Sequence, residues 1–489
     1  MTAYTDLTRK FARIACLDEA SAMLNWDADT VMPEGGAEAR GEQLATLAGL
    51  SHELLCAPEI GTLLAAAEGQ GEWQGANLAL MRDAHIRATA LPGDLVEANV
   101  IAGRACEAIW RQARRDNDFA AVRDALAEVV RLTRESAGIL GEALGLSPYD
   151  ALMSGYQRGV TAADAAPIFA RFEAFLQEAL PRAEALQAAR EHERLPPGPY
   201  AEAAQEALAR QLAAAAGLNF ASARLDRSAH PFCGGTPTDV RITTRYDETD
   251  FCSALLGVLH ETGHALYEQN LPKAWRHQPV GQAAGMAAHE SQSLIVEMQA
   301  VRSDAYLGYL APLCAQAFEK PVTVGGLKRR LRHVERSFIR VEADEMTYPA
   351  HVLLRFRLEQ ALLSGDLAVA DLPGAWNDGF RALLGLTPPD DTRGCLQDIH
   401  WYCGLIGYFP SYTLGAMAAA QLMAAARRAV PEMDAHLAQG NLAPLTAWTG
   451  ANVHAKGALR GFNDILREAT GEALNPAHFE AHLTARYLA

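Results

Sequence analysis

The chain predicts a mostly α-helical protein, one large helical domain carrying a single small β element. Long stretches such as 120–144 and 202–218 repeat apolar residues with a period near 3.6 and consist of strong helix formers. Only one stretch, 227–250, alternates β-branched and polar residues. A length of 489 residues, 49% hydrophobic and 21% charged, is that of a soluble globular chain long enough for a large core.

Taken in order, "MTAYTDLTRKFARIACLDEA" carries Asp6, Asp18 and Glu19 and lacks a continuous apolar run, so no targeting segment is expected. "AAVRDALAEVVRLTRESAGILGEAL" (120–144) reads as a helix. "RLPPGPY" (194–200) is the clearest break and joins two helices rather than two domains. The expectation is therefore one domain over 1–489, with an N-terminal helical part to about residue 195 and a catalytic part from about residue 200. "RSAHPFCGGTPTDVRITTRYDETD" (227–250) reads as a small hairpin, with "DVRITTRY" as a strand. Such a strand beside a metal helix could pair its edge with an extended peptide; a plain structural hairpin explains it equally well. "VGGLKRRLRHVERSFIRVEADEM" and "HVLLRFRLEQALLSG" continue the helical pattern, the second closed by a Gly cap signal. "YTLGAMAAAQLMAAARRA" (412–429) contains Gln421, is too short and Ala-rich to span a membrane, and reads as a core helix.

Charge and cysteine usage remove several function classes. A formal net charge of −16 argues against nucleic acid or an anionic membrane surface as partner. The eight Cys are scattered without a Cys-x-x-Cys pair, which speaks against a Cys zinc site and for reduced thiols in a cytoplasm.

The chemistry concentrates in "LLGVLHETGHALYEQN" (255–270), a buried-helix pattern interrupted by His260, Glu261 and His264. His260 and His264 are four apart and share one helix face, the spacing at which two imidazoles converge on one ion. Glu261 sits beside the first His, where it can serve as a base without being a ligand. Leu255, Leu256, Val258, Leu259 and Leu266 would hold this helix in the interior. Composition alone predicts roughly 0.03 occurrences of the pattern. The competing reading is a hydrogen-bonded core His pair.

A catalytic zinc takes three protein ligands and keeps an open position. The helix-like run "GMAAHESQSLIVEMQAVRSD" (285–304) carries His289, Glu290 and Glu297. Glu290 follows His264 after enough chain for a loop and a return helix, and its neighbours Ala287, Ala288, Leu294 and Ile295 read as a buried face. A buried carboxylate without a partner is costly, so Glu290 calls for a cation.

With these residues in hand, the chain resembles the carboxypeptidase Taq family of metallocarboxypeptidases. The matching motifs are "HPF" (230–232), "DVRIT" (239–243), "HETGH" (260–264), "HESQS" (289–293), "IRVEAD" (339–344), "GCLQDIHW" (394–401) and "GYFPSYTLG" (407–415), with "LNWDADTVMPEGGAEARGEQLATL" like the family's opening. One departure is visible: "YDALMSGYQRG" (149–159) has Ser154, Gln157 and Arg158 where the family tends to carry acidic residues and Pro. The resemblance implies a saddle-like, neurolysin-like helical fold with a deep groove and a small antiparallel sheet. It implies a homodimer, and removal of single C-terminal residues from peptides with broad specificity. The implied ligands of one divalent metal per chain are His260, His264 and Glu290. Zinc is favoured and cobalt also suits them. Hydrolysis would then use a zinc-activated water with Glu261 as general base. The oxyanion donor is implied to come from "HWYCGLIGYFPSY", with His400 and Tyr412 the best candidates and Tyr408 a weaker one.

A carboxypeptidase must also recognise a free C-terminal carboxylate, which a guanidinium does with two parallel hydrogen bonds. Arg340 is the favoured anchor, on a predicted helix whose Phe338, Ile339, Val341 and Ala343 read as buried. Arg241 comes second, and the "HPF" resemblance adds His230 to the substrate-binding residues. For support of the ligand imidazoles, Asp344 and Glu297 are the candidate carboxylates. The rival readings are a zinc endo-oligopeptidase, a dipeptidyl carboxypeptidase, and a non-enzymatic binding protein with a structural zinc. The last is disfavoured because structural zinc sites are closed and Cys-rich.

Overall fold

Helices form where periodicity and caps agree. In the computed structural model, which describes residues 2–190 and 193–489, the 120–144 pattern folds as Phe119–Leu144, begun by Asp118, whose side chain accepts from the Ala121 amide. The 202–218 pattern folds as Glu202–Ala215 and the 351–365 pattern as Tyr348–Ser364, closed by Gly365. The Ala-rich 412–429 stretch is the core helix Pro410–Ala429, with Leu414, Met417, Leu422 and Met423 buried. Among the described residues no helix is long and apolar enough to cross a membrane. None of the eight cysteines is in a disulfide.

The chain divides into two compact units, one built from Met1–His85, Glu191–His333 and Gly415–His478, the other from Ile86–Arg190, Val334–Leu414 and Phe479–Ala489. The "RLPPGPY" break does join two helices, Ala162–Ala189 and Glu202–Ala215, and the division between the units falls beside it.

In the first unit, Leu7 and Phe11 of the N-terminal helix pack with Ile60, Leu64, Leu78 and Met81. Its sheet has three strands, β1 (Ala223–Arg227), β2 (Cys233–Thr236) and β3 (Asp239–Thr244), in the order β1-β3-β2. The expected hairpin is β2 against β3, antiparallel, with Cys233 opposite Ile242. The sheet is nevertheless mixed rather than antiparallel, because β1 pairs parallel to β3 with Leu225 opposite Ile242. That strand satisfies the backbone groups on the second edge of β3. The "DVRITT" strand is thus central and has no edge to lend to a peptide; the outer strands are β1 and β2. Its buried Val240, Ile242 and Thr244 support the following helix, and Thr244 Oγ1 donates to the Ala254 carbonyl at 3.3 Å.

In the second unit, the predicted helix over 324–346 stops early. Only Val324–Leu331, which still belongs to the first unit, is helical, and Arg340–Glu342 is a single 3₁₀ turn. Side chains capture the backbone N–H groups instead: the distant Gln187 takes Val334, the distant Gln397 takes Arg340, and Asp344, within the segment, takes Glu335, Met346 and Thr347. Val341 is consequently exposed, Phe338, Ile339 and Ala343 are half-buried, and Arg340 itself is buried. In the departing 149–159 segment, Ser154 Oγ accepts from Arg87 and the buried Gln157 amide donates to the Arg158 carbonyl.

Candidate metal centre

The helix Phe251–Gln269 carries the first two candidate ligands. Asp250 caps it, accepting from the Cys252 amide, and Leu255, Val258, Leu259 and Leu266 bury its apolar face as expected. The chain returns as the helix Met286–Leu294, which continues as a π-helical segment, Ile295–Val301. The two helices touch at Gly263: a Cβ there would lie 2.6 Å from the Ser293 Cα, so only glycine lets the backbones approach this closely. Glu290 is thereby brought opposite the His pair. Ligand atoms of His260, His264 and Glu290 all lie within 4.8 Å of one another, with His264 Nε2 3.7 Å from Glu290 Oε2.

The donor set fits a divalent cation. Both imidazoles use Nδ1 elsewhere, which leaves Nε2 for an ion. His260 Nδ1 lies 3.0 Å from Glu297 Oε2, and the other oxygen of Glu297 accepts from Arg302 Nη2. His264 Nδ1 lies 2.5 Å from His289 Nδ1. The carboxylates of Glu297, Glu290 and Glu261 all favour positive charge on His260, so the site favours a cation, and a dication could take that proton's place. Burial disfavours the charged form of His260, but the Glu297 hydrogen bond and the carboxylates of Glu290 and Glu261 outweigh it and raise its pKa to about 10. His264 moves the other way, held well below its ordinary value by burial and by the neighbouring His289 and His260. Burial raises Glu261 to about 7 despite the opposing pull of His260. Glu297 resists its burial and is held at about 2, chiefly by Arg302 and His260. Of the two carboxylates expected to support the ligands, Glu297 does so for His260. Asp344 does not: its oxygens are taken by the Thr347 hydroxyl and by backbone amides.

The remaining candidates are placed as follows. Arg241 is forked onto Asp239 (2.8 and 3.1 Å) and lies over the Trp26 ring. His230 is exposed, and its carbonyl accepts from Ser228. In the second unit, Arg340 donates from Nε and Nη2 to Asp398 and from Nη1 to the Tyr348 hydroxyl at 2.7 Å. Asp398 is shared with the fully buried Arg355. His400, Tyr408 and Tyr412 come together there, with ring centroids 5.6 Å apart for His400 and Tyr408 and 5.2 Å for Tyr408 and Tyr412. Arg340 lies 5.2 Å from the Tyr412 ring. Burial, helped by Arg340 and Arg355 and opposed by Asp398, lowers His400 to about 4, so it is neutral at pH 7. Its buried Nδ1 has no partner among the described residues. Asp398, Arg355 and Tyr348 escape the sequence reading, although Asp398 stands inside the quoted "GCLQDIHW" motif. Arg302 and Glu268 escape it too, because a charged side chain carries no signature in the sequence of what it faces.

Comparison with known proteins agrees with this geometry. A family model described as Carboxypeptidase Taq (M32) metallopeptidase matches residues 6–487. Thermostable carboxypeptidase 1 of Thermus thermophilus is 37% identical over 503 residues, covering 100% of this chain and 98% of that protein. The structure of Trypanosoma cruzi metallocarboxypeptidase 1 superposes with a TM-score of 0.97 at 39% identity, covering 99% of both chains. The M32 carboxypeptidase from Deinococcus radiodurans R1 superposes at 0.94 with 34% identity, covering 99% of this chain and 98% of that one. A match from one end to the other, in sequence and in backbone, leaves one assignment: the chain belongs to the carboxypeptidase Taq family and is a metallocarboxypeptidase, a peptide hydrolase that works with a divalent metal.

Proposed function

We propose that the enzyme removes single residues from the free C-terminus of peptides, with broad specificity, using zinc held by His260, His264 and Glu290. The observation that carries this is the pair of imidazoles whose Nδ1 atoms are both engaged, clustered with one carboxylate so that a ligand atom of each of the three lies within 4.8 Å of the others. Two imidazoles and a carboxylate suit zinc and also cobalt. A bound ion of this kind supplies Lewis acidity at the scissile carbonyl and at water. Glu261 takes the proton of the attacking water and hands it to the departing amine nitrogen. Its burial keeps its pKa near the operating range for such transfers. Tyr412 and the neutral His400 donate to the oxyanion, with Tyr408 beside them.

Arg340 anchors the substrate carboxylate in this reading. Arg340 and Arg355 both pair with one carboxylate, Asp398, and this convergence of two buried guanidiniums recommends Arg340 as the partner of an anion. Arg241, already forked onto Asp239, is the second choice, and the exposed His230 contributes to substrate binding. The whole of 1–489 acts as one peptidase domain, with the metal site at 260–290. A homodimer in the cytoplasm completes the reading, and eight cysteines outside any disulfide suit a reducing compartment.

The test is a short peptide with a free C-terminus incubated beside its amidated twin, with products read by mass. Stepwise loss of single residues from the free acid alone is expected. Cleavage inside both peptides would make the enzyme an endopeptidase, and release of dipeptides a dipeptidyl carboxypeptidase.

A further inference from the structure

His289 stands next to Glu290 but points elsewhere. Its Nδ1 lies 2.5 Å from His264 Nδ1, and its Nε2 lies 2.9 Å from Glu268 Oε1. Glu268 and His264 are four apart on one helix and so share a face, while His289 reaches that face from the return helix. The protons can be assigned by elimination. If His264 offers Nε2 to an ion, its proton must sit on Nδ1, which then needs an acceptor. His289 Nδ1 is that acceptor only if His289 carries its own proton on Nε2, and Glu268 is placed to receive that proton's hydrogen bond. One arrangement satisfies all three side chains, running from the ligand imidazole through a second imidazole to a carboxylate that is a quarter exposed. The Tyr267 ring, 5.3 Å from His289, packs beside this imidazole.

We propose that His289 and Glu268 form a positioning relay for His264, fixing its tautomer and ring plane and raising its basicity toward the metal. The relay does for His264 what Glu297 does directly for His260, but through an intervening imidazole that also fastens the return helix bearing Glu290. The inference rests on the reading of His264 as a metal ligand.

The experiment measures zinc affinity by chelator competition, and thermal unfolding of the metal-free protein, for wild type and for His289→Phe, His289→Asn, Glu268→Gln and His264→Ala. His289→Phe keeps ring volume and removes both hydrogen bonds, so zinc affinity should fall about 10- to 100-fold. His289→Asn retains an acceptor near the Nδ1 position and should recover part of that loss. Glu268→Gln should weaken binding several-fold in the wild type and have no further effect in the His289→Asn background, since Glu268 acts only through His289. A purely structural role would instead lower metal-free unfolding temperatures and leave the two substitutions additive. Wild-type zinc affinity in Glu268→Gln and His289→Phe, with zinc lost in His264→Ala, would overturn the relay. Stoichiometric zinc retained in His264→Ala would overturn the ligand reading beneath it.

Discussion

Gly415 packs directly against the Glu290 side chain: a methyl group on it would lie 2.7 Å from Glu290 Cβ and 3.0 Å from the Ala287 carbonyl. The helix Pro410–Ala429 thus leaves a notch for a candidate ligand. Gly415→Ala should displace Glu290 while keeping the helix, since Ala is the better helix former. Overpacking strain of about 1–3 kcal/mol taken up at the site corresponds to a roughly 5- to 150-fold loss of metal affinity. Isothermal titration of the metal-free variant checks this; unaltered affinity would mean that Glu290 is not held by this notch.

Glu261→Gln should bind metal as wild type does and lose about 10²- to 10⁴-fold in kcat, the usual contribution of a positioned base. The base must be ionised, so kcat/KM should fall as pH drops through its pKa. Burial raises Glu261 from 4.5 to about 7, and a dication opposite it would pull the value back. The acid limb is therefore expected between 4.5 and 7, read from a pH profile on a free-acid peptide.

Glu297 orients His260 and is itself paired with Arg302. Glu297→Gln preserves shape but removes the charge and turns an amide N–H₂ toward one of two donors. Metal affinity should fall about 10- to 100-fold. The metal-free protein should also unfold at lower temperature, because the buried ion pair between Glu297 and Arg302 is lost.

Asp398 carries the opposite case, a carboxylate between two guanidiniums. Burial pushes its pKa up, but Arg355 and Arg340 prevail and hold it well below its ordinary 3.8. A carboxylate whose pKa is lowered by folding stabilises the fold above its unfolded value and loses that contribution as pH falls below it. Asp398→Asn should cost about 3–5 kcal/mol at neutral pH by stranding two buried charges. The deficit should shrink as the wild type is acidified below about pH 4. Urea denaturation at both pH values measures it.

Arg340→Ala should raise KM for free-acid peptides about 10- to 100-fold, the worth of a charge-assisted contact, while the amidated twin stays uncleaved. Arg340→Lys should be impaired as well, since an ammonium cannot reproduce the fork. Wild-type KM in Arg340→Ala would move the anchor to Arg241.

What the sequence determined by itself was local. The four-residue spacing of His260 and His264, Glu261 between them and the apolar frame of their helix are consequences of α-helical geometry, which a short window contains whole. Glu290 was legible by chemistry, as a carboxylate on a face too apolar to leave unpaired. The cap at Gly365 and the β2–β3 hairpin were legible for the same reason, as turn and cap residues act within a few positions. The tertiary structure decided everything that depends on partners far along the chain. It chose Glu297 over Asp344, made His289 the neighbour of His264, and gave Arg340 a partner 58 residues away. It also cut short the helix predicted over 324–346, because Gln187 and Gln397 offer its amides acceptors that a helix would otherwise provide. It added β1 as a parallel third strand, since the second edge of β3 needed pairing wherever the chain could supply it. Periodicity records which face of an element is buried; only the folded chain settles which buried donor meets which acceptor.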